Sequence, residues 1–344
     1  MNALLLTAPS KLDYTEVETP TGGTDDVLVR VRACGICGSD IHGWDGSSGR
    51  RHPPLIMGHE AAGEIAQLGA NVTGWSVGQR VTFDSTIYCG KCPACERGDV
   101  NLCDDRRVLG VSPDTYKQHG AFAEYVAVPA RILYALPDGL SYEEAAFAEP
   151  VSIALHGVKR ANIQPGDTAV VIGSGMIGLL VIQALRVAGI ERVIAVDREA
   201  SRLATALELG ATDTVMVEDD TTSAKILALT HGRGADVVME VVGIEPTVKL
   251  AIACTRPGAR IGLIGNLAPN INLPLQQVVT RELSLLGSCS CAGEYPQSLE
   301  LITSGQIKVK PLMAATAPLS DGAEWFAKLS APDGGKYLKV ILNP

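Results

Sequence analysis

Positive charge is in short supply in this chain. Lys and Arg number 29 against 38 Asp and Glu, which gives a formal net charge of -9 at pH 7. Nucleic acids and anionic membrane surfaces are matched by clustered Lys and Arg, so both are excluded as primary partners and small molecules are favoured. The opening stretch, MNALLLTAPSKLDYTEVE, lacks the basic flank and extended apolar core of a secretion signal, which predicts a cytoplasmic location. Apolar runs that could span a membrane are also lacking. The nearest approach is 168–185, eighteen residues without a charge, but Gly173, Gly175 and Gly178 in its middle divide it into a buried strand and a buried helix. Internal repeats and low-complexity segments are absent, and disorder is not indicated.

What is present is enough apolar sequence for a sizeable core. The chain has 344 residues, 46% of them hydrophobic and 19% charged, with 36 glycines, the profile of an α/β protein with many tight βα turns. At roughly 150 residues per domain, two domains are expected. Residues 1–150 alternate short apolar runs such as VLVRVRA with Gly and Pro, which predicts a β-rich unit with few long helices. After Pro165 the pattern becomes strand, Gly-rich turn, helix and strand: TAVVIG, SGMIGLLVIQALRVAG, RVIAVD, SRLATALELGA. This βαβ rhythm continues through ADVVMEVVG, PTVKLAIACTRPG and ARIGLIG to LSLLGS. Beyond it the apolar run KYLKVIL is placed to rejoin the first unit, so 151–288 would be inserted within a domain made of 1–150 and 289–344.

Nine cysteines without a secretion signal point to metal ligands or core residues rather than disulfides. Cys89, Cys92, Cys95 and Cys103 form C-x2-C-x2-C-x7-C, and four thiolates this close can close a tetrahedral zinc shell on one loop. Such a shell leaves no open position, so the expected role is structural. A second cluster is expected around Cys37, His59 and Glu60. A thiolate, an imidazole and a carboxylate are ligand types that zinc accepts while leaving one position for a substrate oxygen. The spacing alone leaves other readings open: Cys34 with Cys37 as half of a zinc knuckle, or His59 as a hydrogen-bonded core histidine. Ser39, Asp40 and His42 lie between the ligands, where small polar groups could pass a proton towards solvent. Glu149 stands in an apolar context, AAFAEPVSIALHG, where a carboxylate needs a cation or a hydrogen-bond partner, or is a helix N-terminal acid beside Pro150.

Gly173, Ser174, Gly175, Met176, Ile177 and Gly178 follow a predicted strand and open a predicted helix, and Asp197 ends the next strand. In that context G-x-G-x-x-G is a dinucleotide fingerprint, with backbone approaching a pyrophosphate at a helix N-terminus. Asp197 would accept hydrogen bonds from ribose hydroxyls and repel a 2′-phosphate, favouring NAD over NADP. Arg198 beside it would act against that preference if it were free to hold a phosphate.

With these motifs the chain resembles the zinc-dependent medium-chain alcohol dehydrogenases, and most closely their polyol branch, typified by sorbitol (L-iditol) dehydrogenase. The resemblance rests on CGICGSDIH, on GHEAAGEIAQLGANV from Gly58 to Val72, on the four-cysteine lobe, on GSGMIG and on Asp197. It implies an α/β protein in which a GroES-like β-rich catalytic domain carries an inserted Rossmann domain, with the active site in the cleft between them. It also implies two zinc ions per chain. Cys37, His59, Glu60 and Glu149 match positions at the catalytic zinc, Ser39 and His42 match the proton relay, and Ile177, Asp197 and Arg202 match NAD contacts. Zinc would lower the pKa of a secondary hydroxyl, the proton would leave through Ser39 and His42, and hydride would pass to the nicotinamide. The substrate class implied is a polyol or sugar alcohol, and the assembly a homo-oligomer, tetramer or dimer. Two departures stand out. An Arg-Tyr pair that helps hold the polyol is replaced by Ser290 and Cys291, and a tyrosine that follows the relay histidine is missing, with Gly43 and Trp44 there instead. L-threonine, butanediol and sugar-alcohol-phosphate dehydrogenases remain alternatives, with a non-catalytic NAD-binding protein as the reading from another class.

Overall fold

The computed structural model describes residues 1–218 and 221–344. It divides into two compact units: Met1–Glu149 with Ala292–Gly305 and Val309–Pro344, and Pro150–Cys291 with Gln306–Lys308.

The first unit is built on a seven-stranded sheet. Its path runs Leu133–Ala135, Arg80–Phe83, Glu60–Leu68, Asp26–Gly35, Lys339–Asn343 and Met313–Pro318, with Tyr125–Pro129 also paired to Asp26–Gly35. The run DVLVRVRA makes its strand by alternation: Val27, Val29 and Val31 turn into the core while Arg30 faces out. The alternation then stops, and Ala33, Cys34 and Gly35 are all buried, because the strand end is covered on both faces. Two neighbours fix the register there. Gly35 lies opposite Glu60 on one side and Ile341 on the other. The apolar core includes Leu4, Leu6, Phe83, Phe122 and Phe326, with the Phe122 and Phe326 rings edge to face at 5.8 Å.

The second unit contains a six-stranded sheet whose strands are all parallel. In sheet order they are Asp213–Met216, Arg192–Asp197, Thr168–Ile172, Ala235–Glu240, Thr255–Leu263 and Ser284–Gly287. The first strand in sequence is thus central and the order reverses about it, the doubly wound Rossmann arrangement. TAVVI and ADVVME are almost wholly buried, as expected of strands covered by helices on both faces. Gly173 to Gly175 separate strand Thr168–Ile172 from helix Met176–Val187, which divides the uncharged stretch 168–185. Among the described residues no helix is long and apolar enough to cross a membrane.

Candidate active site

The ligand atoms of Cys37, His59 and Glu60 all lie within 4.8 Å of one another. Strand pairing brings them together. Asp26–Gly35 delivers Cys37 to the N-cap of helix Gly38–Trp44, and the antiparallel neighbour Glu60–Leu68 starts opposite Gly35. Gly35 has to be glycine, because a Cβ there would sit 2.3 Å from Glu60 Oε2. Gly58 has a left-handed backbone, φ +91, and a Cβ on it would press on Phe122 and the Cys34 sulfur.

Three charged groups support this cluster. Lys339 Nζ donates to Glu60 Oε2 at 2.5 Å and to the Ile36 carbonyl at 3.0 Å, and both side chains of the Lys339–Glu60 pair are almost fully buried. Burial alone would lower the lysine pKa, but Glu60 and the other nearby anions hold it above its ordinary value. Asp40, between Ser39 and His42 in the sequence, is fully buried and points inward. Its Oδ2 accepts from the Cys37 backbone N–H at 3.1 Å, and its Oδ1 lies 3.3 Å from Arg51 Nη2 and 3.4 Å from His59 Nδ1. Burial would raise its pKa, but His59 and Arg51 bring it down to about 2. An imidazole whose Nδ1 is turned to a carboxylate presents its other nitrogen in a fixed direction, a common support for a metal-ligating histidine. Ser39 and His42 lie on the exposed face of the same helix, with His42 Nδ1 3.4 Å from Ser47 Oγ.

Glu149 is in the first turn of helix Ala148–Arg160 and is buried. It stands outside the closest ligand group and accepts a hydrogen bond from Ser85 Oγ at 3.1 Å. Burial pushes its carboxyl up to about 7, with His59 and Ser85 opposing and Glu60 and Asp84 adding to the rise.

Cys89, Cys92, Cys95 and Cys103 converge with all four sulfurs within 4.8 Å. Cys89 and Cys95 are 4.0 Å apart and Cys92 and Cys95 3.5 Å. A tetrahedron with Zn–S bonds of about 2.3 Å has edges of about 3.8 Å, so the sulfurs fit zinc. Backbone N–H groups already point at them: Cys89 donates to Cys103 and Lys91 to Cys89. Such donors, led by the N–H of Asp104, bring the Cys92 thiol down to about 6.

In the second unit Gly173 has φ +96 and Gly175 caps helix Met176–Val187. A Cβ on Gly178 would sit 1.8 Å from the Gly173 carbonyl oxygen, whereas a Cβ on Gly175 would meet nothing within 4 Å. The first restriction packs helix on strand, and the second leaves backbone open to a pyrophosphate, so the loop fits the dinucleotide. Ile177 is half-buried in the first helical turn. Asp197 Oδ2 accepts from the Ser174 N–H at 2.6 Å, and Oδ1 accepts from Arg198 and Glu199 N–H at 2.7 and 2.9 Å. A carboxylate accepts about four hydrogen bonds, so Asp197 orders the loop and keeps acceptor capacity for a ribose hydroxyl. Arg202 Nη1 lies 3.9 Å from Asp197, and Arg198 is exposed. Ser290 takes a left-handed backbone, φ +56, and Cys291 is fully buried.

Arg51 and Lys339 were not singled out in the sequence. Lys339 left one signal, a lysine inside an apolar run whose strand is buried on both faces, where a cation needs an anion beside it. Arg51 left none.

Comparison with known proteins places both units. The alcohol dehydrogenase GroES-like domain family matches residues 23–138, and the zinc-binding dehydrogenase family matches residues 177–304. Sorbitol dehydrogenase of Bacillus subtilis is 34% identical over 319 residues, covering 91% of this chain and 89% of that protein. L-idonate 5-dehydrogenase of Vitis vinifera is 35% identical over 332 residues, 94% of this chain and 89% of the other. A zinc-binding dehydrogenase of Sinorhizobium meliloti 1021, solved with NADP bound, superposes with a TM-score of 0.89 at 32% identity, covering 100% of this chain and 99% of that one. With a Rossmann sheet, a four-sulfur cluster and a Cys-His-Glu cluster in one chain, and relatives of this identity along nearly its whole length, the chain belongs to the zinc-dependent medium-chain alcohol dehydrogenases, in their polyol branch.

Proposed function

We propose that the protein oxidises a secondary hydroxyl of a polyol or sugar alcohol to the ketone, with NAD as hydride acceptor. The observation that carries this reading is the convergence of Cys37, His59 and Glu60 within 4.8 Å, backed by the buried Lys339 and Asp40. Cys37, His59 and Glu60 would hold the catalytic zinc, with Glu149 as a fourth donor in the resting protein, and Cys89, Cys92, Cys95 and Cys103 would hold the structural one. Zinc in the first site supplies Lewis-acid chemistry that makes an alcohol more acidic near neutral pH. Ser39 accepts the proton of the substrate hydroxyl while passing its own towards His42, which is exposed and returns the proton to water. Gly173, Gly175, Ile177 and Gly178 receive the dinucleotide, and Asp197 and Arg202 face the ribose. Three backbone hydrogen bonds hold the Asp197 carboxylate in place after the second strand of the fingerprint, which supports NAD over NADP.

A homo-oligomer is proposed on a separate observation. Leu267, Leu273, Leu275 and Val279 are exposed in the segment leading to the edge strand Ser284–Gly287, and residues 261–280 contain no charged side chain. Across a twofold axis a patch meets its own copy, so an uncharged surface avoids like-charge contact in a chain of net charge -9. Nine cysteines, five of them in the two ligand clusters, support a reducing, cytoplasmic setting.

The test is NAD reduction by zinc-loaded protein, followed by near-ultraviolet absorbance, on a panel of polyols, diols, sugar-alcohol phosphates, L-threonine and simple alcohols. The expected outcome is turnover with polyols. Turnover confined to L-threonine or to a phosphorylated substrate would replace the substrate class, and zinc- and NAD-loaded protein inert on the whole panel would count against the reading.

A further inference from the structure

Arg51 crosses helix Gly38–Trp44 with its side chain only 6% exposed and reaches two residues that matter to the site. Its Nη2 lies 3.1 Å from Ser39 Oγ and 3.3 Å from Asp40 Oδ1. The path exists because residue 43 is glycine. A Cβ at Gly43 would sit 1.8 Å from Arg51 Cδ, 2.6 Å from Nε and 3.0 Å from Cγ. Gly43 and Trp44 stand where the polyol branch carries a tyrosine, and the missing side chain at Gly43 opens the channel that the Arg51 stem fills.

We propose that Arg51 is a positioning residue for the proton relay, and that Gly43 and Arg51 act as one unit in place of the missing tyrosine. This rests on the reading of Ser39 as relay. A hydroxyl has one proton and two lone pairs. Arg51 never loses its protons, so its donation occupies one lone pair of Ser39 permanently. One lone pair and one O–H remain, the complement needed to accept a proton on one side and release one on the other. Asp40, adjacent in sequence and fully buried, is the anion that shares Arg51 Nη2 with Ser39. The same guanidinium nitrogen covers its Oδ1, so the Ser39 hydroxyl is steered away from the anion and left for the relay.

Gly43→Ala, Arg51→Ala, Arg51→Lys and Ser39→Ala test this in the zinc-loaded, full-length enzyme with the polyol found active. Alanine is favoured over glycine inside a helix, so Gly43→Ala should not lose stability through propensity. Gly43→Ala and Arg51→Ala should each lower kcat about tenfold to a hundredfold, the scale of a misplaced reacting group, with KM for NAD unchanged and two zinc ions retained. A solvent deuterium isotope effect should appear as proton transfer becomes slow, Arg51→Lys should recover part of the loss, and added guanidinium should partly rescue Arg51→Ala. Independently of turnover, phenylglyoxal labelling read by peptide mass spectrometry should find Arg51 protected in the parent protein and reactive in Gly43→Ala. Protection unchanged in Gly43→Ala, or slow variants with no isotope effect and no rescue, would overturn the proposal. If Ser39→Ala turned over like the parent protein, the relay reading itself would fall. A slow Ser39→Ala beside a normal Arg51→Ala would sink the Arg51 proposal alone.

Discussion

Lys339 Nζ stands 2.5 Å from Glu60 Oε2, a buried ion pair between residues 279 positions apart in the chain. Removing one partner of such a pair leaves an uncompensated charge, typically at about 3–5 kcal/mol. Lys339→Met should therefore destabilise the zinc-free protein by about that amount in urea unfolding. Zinc can take over the role of counter-charge to Glu60, so the loss should be smaller in zinc-loaded protein. An equal loss in both forms would mean that Glu60 does not face the metal.

The four-cysteine lobe gives a prediction of a different kind. Its sulfurs already sit at the spacing of a closed shell, so Cys92→Ser should lower bound zinc from two ions per chain to one and reduce the melting temperature. Cys37→Ser should also leave one zinc, yet keep most of the stability and abolish turnover. Metal analysis beside calorimetry separates the two variants, and a Cys92→Ser protein with both zincs would refute the structural assignment.

Asp236 sets a pH dependence within the second unit. It accepts from Arg256 Nε at 2.6 Å, the Thr168 N–H at 2.9 Å and Arg233 Nη2 at 3.2 Å. Burial would raise its pKa, but these donors hold it below the ordinary 3.8. The folded protein thus binds this proton more weakly than the unfolded chain. The stabilisation is complete above the unfolded pKa and is lost as pH falls through the lower folded value. Asp236→Asn should cost about 1–3 kcal/mol at neutral pH, and the gap to the parent protein should close in strong acid. A gap independent of pH would show that charge is not the cause.

The uncharged surface predicts its own disruption. Val279→Glu places a carboxylate on a residue that is 65% exposed, so a lone subunit should tolerate it. In the proposed twofold contact it would meet or approach its own copy. Sedimentation should then show a smaller species than the parent protein at equal concentration, and an unchanged mass would remove this face from the interface.

Much of this was legible before the structure, and what was legible was local. The four cysteines lie within fifteen residues, and the fingerprint from Gly173 to Gly178 is one strand, one turn and one helix start. Ligand identity at Cys37, His59 and Glu60 needed the family resemblance, because only strand register brings Gly35 opposite Glu60. Asp40 was seen, but its position in a short helix says nothing about which face a later guanidinium will cover. Arg51 and Lys339 escaped because their partners are chosen by packing, through the gap at Gly43 and the pairing of Ile341 with Gly35.

The strand that carries Lys339 also sets an order of assembly. A ribosome delivers Cys103 long before Lys339, and nascent chains fold from the N-terminal side first. The four-sulfur lobe can therefore close before Lys339 is made, whereas Glu60 of the Cys37 cluster lacks its lysine partner until strand Lys339–Asn343 docks. The two clusters thus differ in what each must wait for: the four sulfurs need only their own loop, whereas the glutamate of the other needs a strand 279 positions further along the chain.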